Sequence, residues 1–233
     1  MIPTIPILSA STVHIQAGTV RLEGQLTAPE DARGFVIVAR ADGDHTYERA
    51  NAYLAGWLAD AGFATLLISL LTPDEEAEDA ETSALRFNQS LVASRLAKVT
   101  CWVRSRWPFV GMDIGYVAGG LCAGSALAAA AVLPTVSAVV CRGARLEVAE
   151  RILHRVTAEV LLLVGEYDAA HQGANRRALA NLPDSARLEV VRGGGHLLED
   201  PDDLEYVARS AEAWFARTLS SAVRRDVEML AGA

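Results

Sequence analysis

Three side chains in this sequence have the types and the order of a nucleophile, an acid and a base: Cys122, Asp168 and His196. Cys122 lies in Gly120-Leu121-Cys122-Ala123-Gly124, between a short apolar run and an alanine-rich one. This G-x-C-x-G pattern has the spacing of a nucleophile elbow, with cysteine where serine is commoner. A nucleophile at such a turn is held in a strained conformation, and bulky side chains two residues to either side would collide across it. A thiol that attacks a carbonyl needs a base, and the base needs a carboxylate to orient it. His196 follows Gly193-Gly194-Gly195, and Asp168 follows the apolar run ending at Gly165. Glu166, two residues earlier, is a second candidate for the acid. A helix N-terminus and a nearby imidazolium would favour the Cys122 thiolate.

These residues need elements to position them. Residues 12–17 and 19–27 read as two strands of a hairpin around Gly18. The continuous apolar runs at 34–39, 63–68, 114–119, 137–141 and 160–165 suit strands buried on both faces, with 187–191 as a further strand. Between them, helical periodicity marks 48–61, 82–106, the stretch from the elbow to about 133, 146–153, 172–181 and 202–219. Residues 221–231 continue as a helix or fray. The acidic stretch from Thr72 to Asp79 reads as a solvated loop. Alternating strands and helices predict an α/β fold: a doubly wound, mostly parallel sheet with an N-terminal antiparallel hairpin. In such sheets the site lies at the carboxyl ends of the strands, and Cys122, Asp168 and His196 each follow a predicted strand. No repeat or linker divides residues 1–233, so a single domain is expected.

Composition narrows the function. A chain of 233 residues with a net charge of −8 lacks the basic balance of a general nucleic-acid binder. No apolar run is long enough to span a membrane, and the first residues lack the pattern of a signal peptide. Three cysteines, Cys101, Cys122 and Cys141, suit free thiols in a reducing cytoplasm, with Cys101 and Cys141 in the core. The expected partner is a small-molecule substrate, with no nucleic acid, membrane, cofactor or metal. The order nucleophile, acid, histidine is that of the α/β hydrolases.

The sequence resembles the dienelactone hydrolase-like branch of that superfamily, including small bacterial members found fused to phosphoribosyltransferases. The resemblance is carried by Gly62-Phe63-Ala64-Thr65-Leu66-Leu67, Leu70-Leu71-Thr72, Leu85-Arg86-Phe87-Asn88, the elbow, Arg142-Gly143-Ala144-Arg145, Leu162 to Asp168 and Gly194-Gly195-His196-Leu197-Leu198-Glu199-Asp200-Pro201. It covers nearly the whole chain. It implies metal-free hydrolysis of an ester, lactone or related acyl bond through Cys122, His196 and Asp168. Family members carry His-Gly after the strand that ends here at Ala39, and that loop supplies an oxyanion-hole N–H. This chain has Arg40-Ala41-Asp42-Gly43 instead, which makes the N–H groups of Asp42 and Ala123 the expected oxyanion donors.

The same departure motivates an alternative: a repurposed, non-hydrolytic protein on this fold, either a binding module or a lyase- or cyclase-like enzyme. Arg40 and His45 are candidates to line the pocket. Arg86, Arg142 and Arg145 are candidates to hold a substrate carboxylate, since guanidinium matches it bidentately. Ser125 falls inside the helix and reads as a packing residue. Asp42, Asp44 and His45 lack the spacing of a metal site.

Overall fold

The computed structural model describes residues 7–43, 45–106, 108–146 and 149–219. Met1–Pro6, Asp44, the middle of the expected 146–153 helix and the expected helix over 221–231 lie outside the described residues. Eight strands form one sheet: β1 (Ile7–Ala17), β2 (Val20–Pro29), β3 (Phe35–Arg40), β4 (Ala64–Ser69), β5 (Ile114–Gly119), β6 (Val136–Arg142), β7 (Glu159–Gly165) and β8 (Arg187–Val191). Their order is β1-β2-β4-β3-β5-β6-β7-β8. The hairpin β1–β2 is antiparallel and joins β4 antiparallel, while β4, β3, β5, β6, β7 and β8 run parallel.

The parallel strands are apolar on both faces because helices cover both. Alternation along β3 shows the division: Ile37 and Ala39 face one core, Val36 and Val38 the other. The first core is closed by α3 (Gln89–Arg104), α4 (Gly120–Val132) and α5 (Ala169–Leu179), through Leu96, Val99, Ala126, Leu127 and Ala178. The second is closed by α1 (Glu48–Asp60) and α6 (Pro201–Thr218), through Leu54, Leu58, Val207, Trp214 and Phe215. Burying each of these large side chains is worth about 1.5–3 kcal/mol, which is what holds the helices to the sheet.

Four expectations change. The acidic stretch after Thr72 is a helix, α2 (Pro73–Thr82). Its capping box pairs the Thr72 hydroxyl with the Glu75 N–H and the Glu75 carboxylate with the Thr72 N–H, and Pro73 stands at the first position. Those caps satisfy orphan backbone donors and outweigh the charge of the run. The helix expected over 82–106 begins only at Gln89, because Ser83 adopts φ +56° and the Asn88 side chain caps the new start. Cys101 is exposed on α3, whereas Cys141 is buried in β6. In place of a helix over 146–153, the structure has a short 3-10 helix at Glu150–Arg155, overlapping only the end of that range.

Candidate active site

The segments that follow β3, β5, β6 and β8 meet around a pocket of about 360 Å³. Its lining includes Asp42, Tyr47, Gly120, Cys122, Arg145 and His196. This volume suits a small organic ligand.

The side chains expected as acid and base are joined. Asp168 caps α5, directly after β7, and its Oδ2 lies 2.7 Å from His196 Nδ1. Its Oδ1 lies 2.6 Å from Nδ1 of His171, one turn into the same helix. Burial works against the Asp168 charge, but the hydrogen bonds and attraction of the two histidines outweigh it and hold the carboxyl below the usual carboxylate range. An ionised carboxylate only accepts, so each Nδ1 donates its N–H to Asp168. The two imidazoles stack with centroids 4.4 Å apart. Asp168, His171 and His196 bring three ligand-type atoms within 4.8 Å. The two nitrogen–oxygen separations are hydrogen-bond lengths and leave no room for an ion between them. Glu166 is engaged elsewhere, accepting the Gly193 N–H at 2.8 Å and so fixing the loop that carries His196.

The elbow differs from its sequence reading. β5 ends at Gly119, α4 begins at Gly120, and the left-handed residue at this junction is Gly120, with φ +53°. Cys122 is not the strained residue; it sits in the first turn of α4, 7% exposed. No hydrogen bond joins its sulfur to His196 among the described residues. Burial pushes the thiol pKa well up, and the Asp42 carboxylate and Cys141 add to the shift while Arg40 opposes it. Burial thus favours the thiol over the thiolate at this position. The space a side chain on Gly120 would need is taken by Tyr47: a Cβ there would lie 2.7 Å from the tyrosine hydroxyl. A Cβ on Gly119 would meet the same ring at 2.9 Å.

The remaining candidates divide. Arg86 and Arg145 line the pocket, with Phe87 beside them and Arg145 over the Phe87 ring at 5.8 Å. Arg86 is also tied to Asp79 of α2 at 2.6 Å. Arg142 does not line it. It is 1% exposed, donates to the backbone carbonyls of Leu197 and Leu198, and lies over the Tyr47 ring at 4.8 Å. Burial lowers its pKa to about 10, so it stays charged at neutral pH. Arg40 is also turned away from the pocket, paired with Glu76 at 2.8 Å and donating to the Asp42 carbonyl at 2.9 Å. His45 sits outside the pocket and pairs with Glu48 at 3.0 Å. Ser125 is buried and bonds Gln89. Ala123 is buried in α4, and Asp42 lines the pocket in the loop after β3. That loop is clamped by α2, since Asp79 Oδ2 accepts the Gly43 N–H at 3.1 Å.

Sequence reasoning missed His171 and Tyr47. An Asp-x-x-His at a helix start puts both side chains on one face, which is a usable signal for His171. Tyr47 has none, because its place over the elbow is a tertiary contact.

No family model matches the chain. It is 42% identical over 211 residues to Mycobacterium tuberculosis proteins that carry the name phosphoribosyl transferase, from strains CDC 1551 and H37Rv. The match covers 90% of this chain and 47% of theirs, so the chain spans about half the length of the curated relatives it matches. Among solved structures, a dienelactone hydrolase from Anabaena variabilis is 40% identical, with a TM-score of 0.86 over 91% of this chain and 98% of that one. A dienelactone hydrolase-like promiscuous phosphotriesterase from metagenomic libraries shares the fold at 16% identity, with a TM-score of 0.74 over 92% and 99% of the two chains. The chain belongs to the dienelactone hydrolase family, a branch of the α/β hydrolases that cleaves esters and lactones.

Proposed function

We propose that this chain hydrolyses a small ester or lactone in the pocket between α4 and the His196 loop, with His196 as the general base. The observation that carries the reading is the Asp168–His196 hydrogen bond of 2.7 Å, with His196 on the pocket wall. Asp168 fixes the imidazole tautomer and leaves Nε2 toward substrate, an arrangement worth about 10²–10⁴ in rate. Arg86 and Arg145 favour a substrate that carries a carboxylate, and Phe87 supports an apolar or aromatic body. The Cys101, Cys122 and Cys141 thiols, all free, support a reducing, cytoplasmic setting.

A second reading makes Cys122 the nucleophile. It is favoured by the glycines at 120 and 124 and by the place of Cys122 on the pocket wall. Its thiol would pass a proton to His196 and attack the carbonyl. The N–H groups of Ala123 and Asp42 would hold the oxyanion, and water would release the acyl group from sulfur.

The test is turnover of a panel of aryl esters and lactones, with and without a carboxylate, by wild type and Asp168→Asn. The proposal expects hydrolysis by the wild type, at least about 10²-fold slower in the variant. Equal rates, or no hydrolysis by the wild type, would overturn it.

A further inference from the structure

The turn that carries a nucleophile in an elbow carries a glycine here, and a tyrosine hydroxyl occupies the space above it. Gly120 has the positive φ of that turn. The Tyr47 ring lies 2.9 Å from where a side chain on Gly119 or Gly120 would begin, and its hydroxyl 2.7 Å from that point on Gly120. The ring is fixed from two sides. Arg142 lies over it at 4.8 Å, and the Tyr47 N–H donates to Asp42 Oδ2 at 3.5 Å. Among the described residues no protein group hydrogen-bonds the hydroxyl, which lines the same pocket as His196. Burial pushes the phenol pKa up to about 12, with Asp42 and Asp168 adding to the shift and Arg142 and Arg145 opposing it. The group is therefore a neutral donor at physiological pH.

We propose that Tyr47 is a catalytic residue whose hydroxyl donates to the substrate carbonyl oxygen, and that water, not a side chain of the elbow, attacks the carbonyl carbon. The inference rests on the reading of this pocket as a hydrolytic site. His196 Nε2 takes a proton from water as the water oxygen bonds to the carbonyl carbon. The carbonyl π electrons move to oxygen, which the Tyr47 O–H and the N–H of Leu121, in the unpaired first turn of α4, hold. Collapse reforms the carbonyl and expels the alkoxide. The alkoxide takes the proton back from His196, giving an acid and an alcohol.

Tyr47→Phe keeps the ring over Gly119 and Gly120 and removes only the donor. Two readouts are taken on wild type and variant: the kcat and KM for p-nitrophenyl acetate, and the Kd of phenylphosphonate, a stable anion with a tetrahedral centre, by calorimetry. The proposal expects kcat to fall about 10²-fold with KM little changed. It expects the phosphonate to bind wild type and to bind the variant about 10-fold or more weakly. Acid-quenched wild type under turnover should show no acyl mass added to the protein. Unchanged phosphonate affinity, no phosphonate binding by wild type, or an acyl adduct on Cys122 would each overturn the proposal. If Asp168→Asn leaves ester turnover untouched, the hydrolytic reading itself fails. The phosphonate comparison still decides the Tyr47 donor.

Discussion

The hydroxyl of Tyr47 stands 2.7 Å from the point where a Cβ on Gly120 would be, so these two residues share one side-chain space. Gly120 also has φ +53°, which side chains rarely adopt. Gly120→Ala therefore combines a strained backbone with a contact to a ring that Arg142 holds in place. We expect a loss of about 1–3 kcal/mol, read as the shift in the urea midpoint. Adding Tyr47→Ala should recover the steric part and leave the backbone part. A variant as stable as wild type would mean that the turn lies elsewhere.

Asp168 accepts from two histidines, and each bond lowers its pKa. His171→Phe keeps a ring against His196 and removes one donor. We expect a loss of about 1–3 kcal/mol at neutral pH. The sign of the pH dependence follows from the depressed folded pKa. The stabilisation is present above the unfolded aspartate value of about 3.9 and is lost as pH falls through the lower folded value. The gap in Tm between wild type and variant should thus be full near pH 7 and shrink below about pH 4. A gap independent of pH would contradict the shared carboxylate.

Arg142 holds the His196 loop through the carbonyls of Leu197 and Leu198 from a fully buried position. Arg142→Met fills much of the volume and leaves those carbonyls without their donor, costing about 1–3 kcal/mol and loosening the base. Arg142→Lys should not restore wild-type behaviour, because a single ammonium cannot reach the Leu197 carbonyl and the Asn51 side chain in the fork geometry. Urea denaturation and ester turnover read the two effects. Full rescue by lysine would show that only the charge matters.

Thiol chemistry should rank the cysteines by burial. Cys101 is exposed, while burial raises the Cys122 thiol pKa and lifts that of Cys141 to about 12. Iodoacetamide at pH 7.5 should label Cys101 first, and Cys101→Ser should abolish the fast phase. Peptide mass spectrometry locates the label. Rapid alkylation of Cys122 would contradict the buried, protonated thiol and favour the cysteine nucleophile.

The parallel strands were legible because a strand covered on both faces must be a short continuous apolar run, and Val160 to Val164 is such a run. The meeting of Asp168 and His196 followed from their places after β7 and β8. The elbow was legible as an elbow but not in its register. Gly119-Gly120-Leu121-Cys122 offers two frames, and the frame is set by which residue takes positive φ, for which glycine is the cheaper choice. The helix α2 was hidden behind its charge, although Thr72-Pro73-Asp74-Glu75 carries both a capping box and an N-terminal proline. The partition of the arginines was beyond reach of the sequence. Arg142 and Arg145 are three residues apart, yet one is buried under the His196 loop and the other faces the pocket.

The account centres on His196 as the base for acyl-bond hydrolysis. The most direct measurement is kcat/KM for one aryl ester with wild type and His196→Ala, after circular dichroism has shown that the variant folds. The account predicts a fall of about 10²–10⁴. Equal kcat/KM values would contradict it.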